Sequence, residues 1–185
     1  MPESKTDNWA TALRYIAGRK AAEESLGFLA HVSALIRTTP EPDAVLTAVA
    51  RACVPFFGSA VLLEAPALGG IPVTAGAEGP AAALPELLAA AGPGQERVVF
   101  SDHEGLAGLD GTLAPDRLRE RGADSGVGLR LSYRGVPGGR LALVRAGDHR
   151  RGPIGPGDLG LLGEVADRLA AFNAFAGLSS AGGAR

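Results

Sequence analysis

The sequence predicts an α+β domain: an antiparallel sheet with the terminal helices on one face and short helices and loops over the other. Three observations predict it. The stretch from Leu129 to Arg145 is two short alternating runs joined by a turn rich in Gly and Pro, which reads as an antiparallel hairpin. Long helical patterns lie at both ends of the chain. Between them, strand-like runs gather beside the hairpin instead of alternating regularly with long helices, the arrangement of an antiparallel rather than a parallel sheet.

From Asn8 to Arg37 the pattern is helical, with Asn8 as an N-cap and Trp9, Leu13 and Ile16 repeating on one face. Gly18 interrupts, residues 19–25 are polar on nearly every face, and Leu26, Leu29, Val32 and Ile36 then restore an apolar stripe. Only part of such a helix lies against a core; the rest is solvated or paired with a partner helix. Pro40 and Pro42 end it and open a second helix, about Pro42 to Phe56, with Val45, Leu46, Val49, Ala52 and Cys53 on its apolar side.

Ser59 to Glu64 is an apolar run suited to a central strand. Ile71 to Ala75 contains Pro72, which demotes it to an edge strand. Pro80 to Ala91 reads as one short helix, Glu96 to Phe100 as a third strand, and residues 101–111 as a polar, glycine-rich loop. Leu113 to Arg121 is helical, and the hairpin strands Val127 to Tyr133 and Arg140 to Arg145 follow. A last helix starts near Gly157 and Asp158, with Leu159, Leu162, Val165, Ala166, Leu169 and Phe172 as its stripe. Residues 177–185 are expected to form a disordered tail.

At 185 residues the chain has the length of one domain, large enough to bury roughly two-thirds of its unfolded surface without staples. The single cysteine, Cys53, allows no internal disulfide and is too little for a structural zinc site. A net charge of −2 gives no global attraction to nucleic acid or to an anionic membrane. No apolar run is long enough to span a bilayer, and no apolar segment follows Met1 to Lys5 as in a signal peptide, so a cytoplasmic protein is expected.

Three segments carry a family likeness. They are Phe28 to Arg37 with Pro42 to Arg51; Arg134 to Arg145; and Gly157 to Ala170 with Asn173 and Ala174. Together they resemble the opening helix pair, the last hairpin and the closing helix of a GAF domain of the actinobacterial sensor type. Residues 19–26 look like the connector helix that often follows a PAS domain. The resemblance implies a GAF-like sheet of five to six strands over residues 26–176, preceded by a helical extension at residues 1–25. It also implies a small-molecule or protein-sensing module that dimerises through its terminal helices.

The resemblance lets several of the family's chemistries be tested residue by residue. Bilin-binding members attach the chromophore through a pocket Cys, whereas Cys53 lies in the second helix, so covalent bilin is not expected. None of the three His stands out as a haem ligand. The Asn-Lys-Phe-Asp-Glu motif of cyclic-nucleotide members and the redox cysteines of free methionine sulfoxide reductases are absent. The cofactor, if there is one, stays unknown.

Two groups of polar residues stand out. Asp102 and His103, with Glu104, form the best polar cluster, open to readings as a solvated loop, a ligand contact, or a metal or catalytic site. Three adjacent residues point in different directions and rarely bind one ion together, so no metal site is assigned. Arg130 and Ser132 share one side of their strand by alternation, opposite Leu129, Leu131 and Tyr133. If the apolar face meets the terminal helices, they face the ligand side, where an Arg could hold a carboxylate or phosphate through two parallel bonds. The competing reading is the solvated outer face of an edge-exposed strand, and Glu64 is weighed the same way. The leading expectation is a non-enzymatic sensory or regulatory domain and homodimer, taking a small molecule or a signalling partner. The alternatives are a GAF-fold enzyme of a biosynthetic pathway using Asp102, His103 or Arg130, and a degenerate scaffold with a collapsed pocket.

Overall fold

In the computed structural model, residues 3–66, 71–92, 94–103, 106 and 114–182 are described. In chain order the elements are α1 (Glu3–Thr38), α2 (Pro42–Phe56), β1 (Ala60–Glu64), β2 (Val73–Gly76), α3 (Glu78–Ala81), α4 (Leu84–Ala90), β3 (Arg97–Phe100), α5 (Pro115–Glu120), β4 (Ser125–Tyr133), β5 (Val136–Arg145) and α6 (Pro156–Gly182). The five strands form one sheet in the order β2-β1-β5-β4-β3, and every pairing is antiparallel. The strand β2 is at an edge, with Pro72 just ahead of it and outside the ladder.

Strand alternation divides the core in two. Val61, Leu63, Val127, Leu129, Leu131, Leu141 and Leu143 point to one face, where they meet α1, α2 and α6. Ala60, Leu62, Ala142 and Val144 point to the other, where they meet Leu84, Leu87 and Leu88 of α4 and Leu118 of α5. The near-continuous apolar runs of β1 and β5 follow from burial on both faces. Phe28, Phe56 and Phe57 join α1 to the end of α2, with Phe28 and Phe56 stacked at 4.3 Å.

Four elements differ from the sequence reading. Helix α1 starts at Glu3, ahead of Asn8, and passes through Gly18 without a break. The helix expected over residues 80–91 is two helices, because Pro85 cannot continue a helix begun at Glu78 but suits the first turn of α4. The hairpin turn is Arg134-Gly135, both at positive φ (50° and 77°), whereas Pro137, Gly138 and Gly139 belong to β5. Helix α6 also continues past residue 177, as far as Gly182.

The loop between β5 and α6 is locked by a buried cation. The Arg145 side chain is only 1% exposed. Its Nε donates to the Phe57 carbonyl at 2.6 Å, and its Nη1 donates to the Gly152 and Pro153 carbonyls and to Asp158 Oδ2, the last at 2.9 Å. Asp158 Oδ1 accepts from Arg151 at 2.9 Å, and Oδ2 also accepts the Gly155 N–H, tying down the start of α6. Burial pushes the Asp158 pKa up, but the bonds and charge of Arg145, with Gly155 and Arg151, outweigh it and hold the carboxyl below its usual 3.8. Nearby, His149 Nε2 lies 3.1 Å from the Pro55 carbonyl. Burial, then the charge of Arg145, lowers its pKa below 6.5 despite that bond.

Both groups bind protons less readily when folded than unfolded, so both make the fold lose stability in acid. His149 contributes fully above pH 6.5 and loses its contribution as pH falls below that value. Asp158 contributes above 3.8 and loses its share as pH falls through its lowered folded value. Thermal melts against pH are expected to show two stages of decline, the first removed by His149→Gln. Asp158→Ala leaves Arg145 buried and uncompensated, and should cost about 3–5 kcal/mol in denaturant unfolding near neutral pH.

Candidate functional site

The sheet face beneath α4 is built in three cross-strand rows. The first is Ala60, Val144 and Gly126; the second is Leu62, Ala142 and Gly128; the third is Glu64, Arg140 and Arg130. The first two rows are apolar or side-chain-free, and α4 rests on them. A Cβ at Gly126 would collide with Leu87 Cδ1 at 2.6 Å, and one at Gly128 would run into the Leu87 carbonyl and lie 3.1 Å from Ala91 Cβ. The space between α4 and the sheet is therefore filled. At the third row α4 has ended, and the face turns from apolar to charged.

A cleft of about 380 Å³ opens there, lined by Glu64, Pro66, Ala91, Gly92, Arg130, Pro137, Gly139 and Arg140. Arg140 is pinned in its wall. Its Nε and Nη2 both donate to Glu64 Oε2, at 3.2 and 2.6 Å, and its Nη1 donates to the Leu88 carbonyl at 3.2 Å. Arg130 is the direct cross-strand neighbour of Arg140. Among the described residues, its guanidinium forms no ion pair or hydrogen bond. Gly139 adopts φ 136°, and a Cβ there would strike the Glu64 carbonyl, so the β5 backbone lies directly against β1 at the cleft floor.

Of the residues singled out from sequence, Glu64 and Arg130 come together here. Ser132 does not line this cleft. The extra residue at the register shift is Gly138 of β5, so β4 keeps its alternation through Ser132. Ser132 and Arg130 together border a second groove with Glu96, Arg97, Gly163 and Asp167, along the β4 edge and α6.

Asp102 and His103 lie at the opposite end of the sheet, since β3 runs from Arg97 opposite Leu129 to Phe100 opposite Gly126. Asp102 is 75% exposed and accepts from Arg119 Nη2 at 2.8 Å, while the Arg119 guanidinium covers the Phe100 ring. The His103 N–H donates to Ser101 Oγ, which in turn donates to the Ile154 carbonyl at 2.7 Å, so this segment fastens β3 to the loop before α6. Asp102, His103 and Arg130 thus do not assemble into one site. Glu104 lies outside the described residues. Among the described residues no group of three or more His, Cys, Asp and Glu could hold a metal ion, and no helix is long and apolar enough to cross a membrane.

Arg140 is the cleft residue that the sequence reading missed. Alternation back from Val144 and Ala142 would have placed it on the α4 face.

The geometry can be set beside known structures. It matches the GAF domain of a putative sensor histidine kinase from Pseudomonas syringae pv. tomato with a TM-score of 0.56 and 19% identity, over 92% of this chain and 98% of that one. It matches the GAF domain of a phosphoenolpyruvate-protein phosphotransferase from Coxiella burnetii at 0.54 and 15%, over 86% and 98%. The fold is GAF-like. A third similar structure is the phycocyanobilin-bound GAF domain of a cyanobacterial phytochrome, at 0.54 and 16%, over 84% and 96%. No family model and no curated protein matches the sequence.

Cys53 is fully buried on the α2 side of the sheet, away from the cleft, and burial pushes its thiol up to about 12. A thiol that stays protonated and covered is inert. The native protein is expected to leave a colorimetric disulfide reagent unreacted over hours and to titrate one thiol in denaturant. Rapid reaction of the folded chain would contradict this packing.

Proposed function

We propose that this chain is a sensory or regulatory domain without catalysis, in which occupancy of the cleft is passed through the hairpin to the terminal helices of a homodimer. The observation that carries the reading is Asn173. It is fully buried, and its Nδ2 donates to the Gly138 carbonyl at 2.9 Å. Gly138 sits between Pro137 and Gly139, which line the cleft, and its Cα backs onto Ala170 of α6. One turn on, Arg168, Phe172 and Phe175 of α6 face Ser33 and Ile36 of α1, and Arg168 Nε donates to Ser33 Oγ at 3.2 Å. A ligand moving the base of β5 would therefore push on α6, and α6 on α1.

Helix α1 supplies a means of output. Residues 8–24 are exposed throughout, about 25 Å of helix standing off the domain. Trp9 is 71% exposed, and Leu13, Tyr15 and Ile16 are likewise bare. An unsupported helix with such a stripe is marginal in water and gains by pairing. A second copy of the same helix is the partner proposed. The filled space under α4 favours a second reading, a scaffold that pairs through α1 but binds nothing.

Two measurements test the proposal. In sedimentation equilibrium the protein should dimerise at tens of micromolar, and a Leu13→Asp, Ile16→Asp double variant should weaken the dimer at least about tenfold. A wild-type monomer at that concentration would sink the pairing. In amide exchange, Arg140→Gln frees the cleft wall and should speed exchange around residues 170–175, while Asn173→Ala should remove that response. Indifference of α6 to the cleft variant would end the coupling argument.

A further inference from the structure

We infer that the cleft takes a compact organic anion, a carboxylate or phosphate on a small apolar body, held by the fork of Arg130. The inference deepens the sensory reading above by naming the chemistry of the ligand at the same cleft.

The argument rests on charge in the third row. Like charges placed directly opposite across two strands destabilise a sheet. Arg130 and Arg140 are such a pair, with a single carboxylate, Glu64, between three side chains. Glu64 spends Oε2 on two Arg140 donors, so the row keeps one uncompensated positive charge at Arg130. Glu96 and Asp167 line the groove on the far side of the β4 edge, which Arg130 also borders. Among the described residues neither approaches it within ion-pair distance.

The sheet geometry explains why the guanidinium is left available. Strand β3 covers β4 only as far as Leu129, and the Arg130 N–H bonds the Glu96 carbonyl at 2.9 Å where that cover ends. The backbone of Arg130 is therefore fixed while its side chain reaches an open cleft. Arg140, held at all three nitrogens, adds a second fixed positive charge that cannot move onto the ligand or away from it. A planar guanidinium beside a fixed cation favours an oxyanion able to accept two parallel bonds.

The remaining walls are Pro66, Ala91, Gly92, Pro137 and Gly139, which offer apolar surface and little else. At about 380 Å³ the cleft is near the small end for ligand sites, so the body is compact.

The test uses benzoate, phenyl phosphate, acetate and inorganic phosphate at millimolar concentration, with neutral benzamide as the control. Binding is read by calorimetry and by the Arg Nε resonances. At least one aromatic anion should bind more tightly than acetate or inorganic phosphate, benzamide should not bind, and added salt should weaken the complex. Whether benzoate or phenyl phosphate binds better assigns the headgroup.

Arg130→Gln should weaken binding about tenfold or more and Arg130→Lys measurably, whereas Arg117→Gln on the remote α5 should leave it unchanged. Without ligand, Arg130→Gln should melt no lower than wild type, because it relieves the like-charge contact. Failure of all four anions to bind, or equal binding by Arg130→Gln, overturns the inference. Equal affinity for acetate and benzoate overturns the part given to the apolar walls. Anion binding with no response in α6 would uphold this inference and remove the sensory reading, and a helix response to the cleft variant without anion binding would do the reverse.

Discussion

Helix α4 can lie on the sheet only because β4 turns no side chain toward it at positions 126 and 128. With any Cβ at Gly128 the Leu87 carbonyl would have to retreat, and with it the whole of α4. This close approach decides where the molecule is open. It closes two of the three rows beneath α4, seals Leu84, Leu87 and Leu88 against Leu62, Ala142 and Val144, and leaves the row of Glu64, Arg140 and Arg130 uncovered. The glycines move the open site to the hairpin end of the sheet.

That displacement connects the cleft to the rest of the fold. A cavity under α4 would touch mainly α3, α4 and α5, short elements without a long lever. At the hairpin end the cleft touches Pro137 and Gly139 instead, and Gly138 between them is held by Asn173 of a 27-residue helix. The bond is from a fully buried amide whose Oδ1 has no partner among the described residues. A buried amide that satisfies only one side is a costly choice for a core position. Its one bond goes to the strand segment that borders the cleft, so the cost fixes α6 to that segment.

The sheet and terminal helices were legible in the sequence because their signals are periodic and long. Alternation in β4 and the stripes of α2 and α6 survive any error in their ends. Local turn chemistry was less dependable. Pro137, Gly138 and Gly139 carry the residue types of a turn, yet they run as strand, because β5 must pass close to β1 at Glu64 and only a glycine fits at 139. The turn fell to Arg134 and Gly135, and an arginine at positive φ is not a signal that composition announces. The same limit applies to the site. Glu64, Arg130 and Ser132 could be placed by counting along single strands, but the bulge at Gly138 and the register that puts Arg140 between Glu64 and Arg130 depend on neighbouring strands.

Strand β5 carries an arginine near each end of its apolar segment, and the two are treated in opposite ways. Arg145 faces the α6 side, is wholly buried, and is matched by Asp158 and three carbonyls. It acts as a structural bolt, and the carboxylate is shared with Arg151 at the start of α6. Arg140 faces the α4 side and is matched by Glu64, but its neighbour Arg130 has no partner among the described residues. A sheet that needed charge at this end only for solubility would be better served by Glu64 and one arginine, since the second adds repulsion and no bond. Such an extra cation is unfavourable with the cleft empty and would become favourable with an anion bound there. The same fold thus uses one arginine to hold α6 in place and leaves another without a partner among the described residues, at the end of the sheet that α6 touches through Asn173.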